Sequence, residues 1–326
     1  MVPQPLYRSR PGAAASLVLA GEILVGVLVV LAGWWLMDVA RTVWAYSFSA
    51  VPFPLVGYPI APRLLVAAIA LLTTLVLFAS RTAAITAAVV CVVVSVLSWL
   101  GLLADIVQPL LELRTSTPPG QGLWSADPVV ASLRDLGYAM LQGPWTSATL
   151  LLSGAWVAIA VAWLLPVRSA SAPEVPRSRA TIVAVIAGIV VLLAGWWLVP
   201  IVDRAILRQF IDRPGGFTAA ASLVALAAAA LLTLVLLRSR TAAFCASALG
   251  IVLLLFSVVA VQLADAVPIQ SLSPTHGTDE TWRLSLADLG GGIVSSAYSL
   301  GTIALSGAFM GVGLGWLVRR GKQKAH

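Results

Sequence analysis

The sequence is poor in charged residues and in the side chains that most often bind metals. Only 10% of its 326 residues are charged, whereas soluble domains carry about 25%. It has two cysteines and two histidines, and none of them lies in a metal-binding or CxxC spacing. Walker A, G-x-S-x-G and H-E-x-x-H motifs are absent. The sequence therefore predicts no metal or other cofactor, and an enzyme of this composition would depend on carboxylates and arginine.

Lysine is almost missing as well. Of the 20 basic residues only Lys322 and Lys324 are lysine, a bias that fits a bacterial genome of high GC content. The basic residues stand beside the ends of apolar runs and form no patch interleaved with aromatic residues. We therefore interpret the net charge of +7 as topology control and expect no nucleic-acid partner.

What the chain has in excess is apolar sequence. Hydrophobic residues make up 60% of it, and the mean hydropathy is +0.98. Since about 20 apolar residues cross a bilayer as a helix, the runs predict an all-α integral membrane protein with eight transmembrane helices. The first run is too long for a signal peptide and is predicted to be retained. The eight predicted spans are 16–37, 64–79, 83–104, 145–167, 180–201, 217–237, 241–263 and 293–318.

The distribution of basic residues predicts the orientation of these spans. With a cytoplasmic N-terminus, the inner segments hold twelve basic residues against one acidic residue, Glu174. The outer segments then hold eight basic and eleven acidic residues. This bias follows the positive-inside rule, so we expect a multi-pass protein of the plasma membrane with both termini in the cytoplasm.

Short sequences recur along the chain. Leu31–Leu36, with the residues LAGWWL, returns 162 residues later as Leu193–Leu198, and Ser80-Arg81-Thr82 returns as Ser239-Arg240-Thr241. The segment LSGA occurs at 152–155 and at 305–308. Because each copy holds an even number of spans, both copies should insert in the same direction, as two tandem parallel four-helix repeats. The predicted domains are a first repeat at 1–167, a cytoplasmic linker at 168–179, and a second repeat with a basic tail at 180–326.

Several residues are candidates for function, and each has a structural alternative. The Trp doublets are expected at the bilayer surface. The Ser-Arg-Thr turns fit helix caps anchored by arginine, or a pair of sites, Arg81 and Arg240, for an anionic partner or lipid headgroup. Glu22 is the ionisable residue that lies well within a predicted span, where it fits either a proton or cation site or a carboxyl group that is protonated or reaches the interface.

Four acids outside the spans occur in matched positions. They fit helix caps, a cation entry or a paired-carboxylate site on the outer side. These acids are Asp105, Asp265, Asp135 and Asp288.

Two outer segments have apolar residues at helical spacing. They are predicted to lie on the outer membrane surface, to extend the fourth helix of each repeat outward, to cover an opening between the two halves, or to dock a partner. The stripes are Val129, Leu133, Leu136 and Met140 in the first copy, and Trp282, Leu286, Leu289 and Ile293 in the second.

The last span carries a ridge of small residues, Gly307, Gly311 and Gly315. Such a ridge lets two helices approach closely, either within the chain or with a membrane protein partner.

Three functions remain open at the level of sequence. The first is a non-enzymatic accessory or scaffold protein of the bacterial cell envelope, because the spans contain little chemistry. The second is a transporter or channel for a small molecule or lipid, with a pathway between the two repeats. The third is a membrane enzyme that uses the outer carboxylates on a lipid-linked substrate. Membrane lipids are partners in all three.

Overall fold

The fold is helical throughout the part of the chain that the computed structural model describes. The described residues are 13–49, 60–100, 102–115, 136–137, 140, 146–165, 177–212, 216–264 and 299–324. The principal helices in these ranges are α1 (Ala13–Ser49), α2 (Ile60–Ala79), α3 (Arg81–Trp99), α4 (Leu102–Thr115), α5 (Ser147–Leu164), α6 (Arg177–Asp212), α7 (Gly216–Arg238), α8 (Arg240–Ala264) and α9 (Leu300–Lys324).

Five of these helices are long and apolar enough to cross a membrane. The candidate spans are Ala14–Arg41, Arg81–Ser98, Ser147–Leu164, Ser178–Val199 and Leu300–Val318. Shorter apolar stretches occupy α2, α7 and α8. The chain is therefore a helical membrane protein of the multi-pass type.

The helix ends differ from the predicted spans at several places. α1 and α6 continue to Ser49 and Asp212, well past the predicted ends at 37 and 201. The predicted span 83–104 is divided, because α3 ends at Trp99 and α4 begins at Leu102. α6 begins at Arg177, so the last residues of the predicted linker are helical. The predicted ends come from hydropathy, which shows where the side chains become polar. A helix ends where its backbone hydrogen bonds end, and this can be several residues further on.

The apolar helices are compared as two sets of four, with α1, α2, α3 and α5 in the first set and α6, α7, α8 and α9 in the second. The first helix of each set contacts the second and third helices of that set. α1 packs against α2 and α3, and α6 packs against α7 and α8. The fourth helix contacts the third, since α5 packs on α3 and α9 packs on α8.

Contacts between the two sets of helices are made mainly by the fourth helices. α5 packs along α7, α9 packs along α2, and α5 and α9 also contact each other. Each fourth helix therefore lies against the second helix of the other set. In this arrangement α5 and α9 are the most buried of the candidate spans.

Glycines allow these fourth helices to approach their neighbours closely. A Cβ atom at Gly154 in α5 would lie 2.7 Å from the carbonyl oxygen of Leu226 in α7. A Cβ atom at Gly307 in α9 would lie 2.7 Å from the carbonyl oxygen of Ala67 in α2. Because backbone atoms cannot yield at such a distance, only glycine fits at either position.

The predicted glycine ridge of α9 is covered by the same chain. Gly307 faces Ala67 and Ala70 of α2, and Gly311 and Gly315 face Thr74 and Phe78 further along that helix. Of the two alternatives, packing within the chain is the one present in the structure.

Candidate functional site

Two buried tryptophans donate hydrogen bonds to serines of the central helices. Trp34 Nε1 in α1 donates to Ser153 Oγ in α5 over 3.1 Å, and Trp196 Nε1 in α6 donates to Ser306 Oγ in α9 over the same distance. Both tryptophans are at most 3% exposed. The prediction that the Trp doublets lie at the bilayer surface is therefore wrong for the first residue of each doublet, because its N–H group has a protein acceptor. Hydropathy gave no signal for this pairing.

The surroundings of the two serines differ. Ser153 also forms a hydrogen bond with the thiol of Cys91, a free cysteine buried in α3. In the second half the residue that matches Cys91 is Gly250. A Cβ atom at Gly250 would lie 3.8 Å from Ser306 Cβ and 3.9 Å from Leu192 Cδ1, which is ordinary van der Waals contact. The other cysteine, Cys245, is half-buried.

Arg63 is a buried charged residue that sequence reasoning missed. Its side chain in α2 is 1% exposed, while the predicted span began only at residue 64. Arg63 stands one turn before Ala67, which meets α9 at Gly307, so it lies near the first turn of α9. The matching residue in α7 is Ser222, which is also buried. The sequence signal that could have identified Arg63 is the difference between this arginine and the serine at the matching position.

Glu22 lies near the end of the helix bundle and not at its centre. α1 crosses α3 where Gly26 meets the carbonyl oxygen of Ala83. Four residues of helix amount to about 6 Å, which places Glu22 at nearly the level of the turn between α2 and α3. The carboxylate is half-buried and makes no hydrogen bond or ion pair with the described part of the chain. The uncharged Ala184 occupies the matching position.

The two Ser-Arg-Thr turns begin helices with serine caps, as predicted. Ser80 Oγ accepts from the backbone N–H of Ala83 over 3.2 Å, and Ser239 Oγ accepts from that of Ala242 over 3.2 Å. The arginine that follows each serine is the first residue of α3 or α8. Arg81 is exposed, whereas Arg240 is half-buried and lies 5.2 Å from the centroid of the Phe244 ring. These interactions confirm the capping role and leave the arginines on the surface.

The fourth helices begin with a second pair of caps. Thr146 Oγ1 accepts from the backbone N–H of Thr149 over 3.4 Å at the start of α5. Ser299 Oγ accepts from that of Thr302 over 3.2 Å at the start of α9. These four residues occupy matching positions in the sequence. Both central helices thus begin on the same side of the bundle as the N-terminus of α2.

Of the four candidate acids, the structure describes Asp105. Asp105 is exposed in the first turn of α4, where a carboxylate stabilises the positive end of the helix. Asp135, Asp265 and Asp288 lie outside the described residues. Among the described residues no cluster of three or more His, Cys, Asp or Glu side chains can hold a metal ion.

One of the predicted outer stripes is partly described. Leu136 and Met140 are helical and half-buried, and the carbonyl oxygen of Met140 accepts from Ser98 Oγ over 3.4 Å. This hydrogen bond joins the segment to the end of α3. The stripe from Trp282 to Ile293 lies outside the described residues.

Comparison of the chain with protein families, with curated proteins and with solved structures finds no match. The functional conclusion therefore depends on the packing and chemistry of the chain itself.

Proposed function

We propose that the protein is a non-enzymatic accessory or scaffold component of the bacterial cell envelope. Its eight apolar helices form two tandem four-helix units, inserted in the same direction with both termini in the cytoplasm. The scaffold role is inferred from the centre of the bundle, and the topology from matched contacts and the distribution of charge.

The topology is supported by contacts that recur at matching positions. The serine caps of α3 and α8, the caps of α5 and α9, and the two Trp–Ser hydrogen bonds each have a counterpart in the other unit. Helices that pack in the same order, with the same caps, most simply run in the same direction. The inner segments then carry nearly all of their charge as arginine and lysine.

The observation that carries the scaffold role is the filling of the space between the units. Leu151, Leu152 and Ala155 of α5 and Leu305, Ala308 and Phe309 of α9 are fully buried. The glycine contacts of α5 with α7 and of α9 with α2 join the units from both sides. In the described part of the chain these apolar side chains fill the contact between the units, and we take the outer segments and the lipid-exposed faces as the surfaces for interaction.

Site-specific photo-crosslinking in cells tests this role. A photoreactive amino acid is placed at Leu133 or at Leu286, in the two outer amphipathic segments, and at the exposed Leu28 of α1 as a control for contact with lipid. We expect Leu133 and Leu286 to crosslink the same membrane or envelope protein, which also co-purifies with the full chain in mild detergent. Adducts with lipid alone at all three positions, together with a monomer free of other proteins, would contradict the scaffold role.

A transporter or channel is the second candidate, and Arg63 favours it. A charged residue inside a membrane helix is costly and is often part of a pathway for substrates or ions. Arg63 lies beside the contact between α2 and α9, which is a boundary between the two units.

Anion flux through liposomes that contain the purified chain tests this candidate. If chloride or inorganic phosphate crosses them faster than empty liposomes, and Arg63→Gln abolishes the flux while Ser222→Ala preserves it, the protein is a transporter. Liposomes that stay as tight as empty ones exclude these anions as substrates and leave Arg63 a structural role.

A further inference from the structure

The peripheral helices α1 and α6 extend beyond the Ser-Arg turns. Gly26 of α1 meets Ala83, so Leu24 lies level with Arg81 at the start of α3. Ala14 is ten residues earlier in the same helix, which corresponds to about 15 Å along its axis. In the second unit Gly188 meets Ala242, so Ile186 lies level with Arg240. From there the apolar part of α6 continues back to Ala180, about 9 Å further, where the exposed Arg179 precedes it.

The extended parts of both helices carry exposed apolar side chains. Every residue from Ala14 to Gly21 is exposed, and Leu17 and Val18 are 73% and 65% exposed. In α6, Ile182 and Val183 are 58% and 66% exposed. The candidate spans accordingly begin at Ala14 and Ser178. These surfaces require contact with acyl chains, since nothing else in the described part of the chain covers them.

Arg81 and Arg240 therefore lie deeper than the ends of the hydrophobic surface beside them. A guanidinium at this depth needs a negatively charged group that reaches down from the membrane surface. A lipid phosphate can do so when the bilayer thins beside a short helix pair. The acyl chains of the same lipid can then lie against α1 or α6.

We propose that the two Ser-Arg turns, together with the overhanging ends of α1 and α6, form two binding sites for anionic phospholipid. In each site the arginine binds the phosphate, and the exposed apolar side chains of α1 or α6 contact the acyl chains. This inference uses the depth of the turns and does not depend on whether the protein is a scaffold or a transporter.

The two sites differ in their neighbouring charge. Glu22 stands within about 3 Å of the level of Arg81, on the helix that packs against α3. Ala184 occupies the corresponding position beside Arg240, and Arg240 is held over the ring of Phe244. Because a carboxylate repels a phosphate, the Arg240 site binds anionic lipid more tightly than the Arg81 site.

Native mass spectrometry of the full chain tests the proposal. The protein is released from nanodiscs of phosphatidylglycerol diluted in phosphatidylcholine, and the lipids that stay bound are counted. We expect two retained phosphatidylglycerol molecules. Arg81→Gln and Arg240→Gln should each lower retention about fivefold, the factor expected for one basic residue at an anionic surface. Glu22→Gln should raise retention at the weaker site.

Two controls separate these sites from other sources of binding. Arg41→Gln removes an exposed arginine at the other end of α1, far from both turns, and should leave retention unchanged. Inorganic phosphate should not displace the bound lipid. The proposal is overturned if Arg41→Gln lowers retention as much as Arg240→Gln, if phosphatidylcholine is retained equally well, or if free phosphate competes. Unchanged intrinsic tryptophan fluorescence shows that each variant remains folded.

Discussion

The two halves of the chain have the same packing contacts but different ionisable and reactive residues. Trp34 with Ser153 and Trp196 with Ser306 form equal hydrogen bonds, and the caps and glycine crossings are also paired. Glu22, Arg63 and Cys91 occur in the first half, where the second half has Ala184, Ser222 and Gly250. The paired contacts hold the helices together in both halves, so the residues without a counterpart are the places where the two halves differ in chemistry.

The largest effects are expected where glycine permits contact between backbones. Gly154→Val and Gly307→Val should each lower the free energy of unfolding by about 2–3 kcal/mol, because the new side chain would overlap carbonyl oxygens that cannot move. The measurement is denaturation in mixed detergent micelles, followed by tryptophan fluorescence. Gly21→Ala is the matched control and should not destabilise the protein, since a Cβ atom there meets nothing within 4 Å. If only one of the two variants lost unfolding free energy, the glycine contacts of the two halves would not be equivalent.

The serine caps should give smaller and equal effects. Ser80→Ala and Ser239→Ala each remove a hydrogen-bond acceptor from the first turn of a helix, which costs about 1 kcal/mol of unfolding free energy. The same micelle assay applies, with Ser178→Ala at an exposed site in the first turn of α6 as the control. Losses that differ by more than the cost of one cap would show that the two turns are not equivalent.

The Trp–Ser pairs are best compared by double-mutant cycles. Trp34→Phe with Ser153→Ala, and Trp196→Phe with Ser306→Ala, should each give a coupling energy of about 0.6–1 kcal/mol. Ser153→Ala alone should cost more than Ser306→Ala, because Ser153 also bonds the thiol of Cys91. Repeating Ser153→Ala in a Cys91→Gly background should remove this difference. If the difference persists, the thiol is not its cause.

The smallest effect is a gain in stability at Gly250. Gly250→Ala should raise the unfolding free energy by about 0.5–1 kcal/mol, since alanine favours the helix and its methyl group fits beside Ser306 and Leu192. Thermal unfolding in detergent measures the gain, and Gly188→Ala is the opposite control, because a Cβ atom there would lie 2.5 Å from the carbonyl oxygen of Ala242. A loss of stability at Gly250 would mean that the second half packs more tightly there than its contacts indicate.

Local features of the fold were predictable from the sequence, and contacts between distant helices were not. The apolar runs and the Ser-Arg-Thr turns predicted the helices and caps, because both depend on neighbouring residues. The burial of Trp34 depends on Ser153, which is 119 residues away, and hydropathy does not distinguish a lipid-facing tryptophan from one inside the protein. Arg63 was missed for a related reason, since a charge at the end of an apolar run was assigned to a loop. The glycine ridge of α9 predicts close packing against another helix, but no local signal identifies that helix as α2 or the neighbour of α5 as α7.

The orientation of the two Ser-Arg turns tests the central claim most directly. In a chain with Cys91 and Cys245 replaced by alanine, single cysteines are placed beyond the turns, at Ser9 before α1 and at Ala172 before α6. They are treated with a maleimide that cannot cross the membrane, in intact cells and in inverted vesicles. Two units inserted in the same direction predict that both cysteines react in inverted vesicles and that neither reacts in intact cells. Labelling of one in cells and of the other only in vesicles would contradict the account.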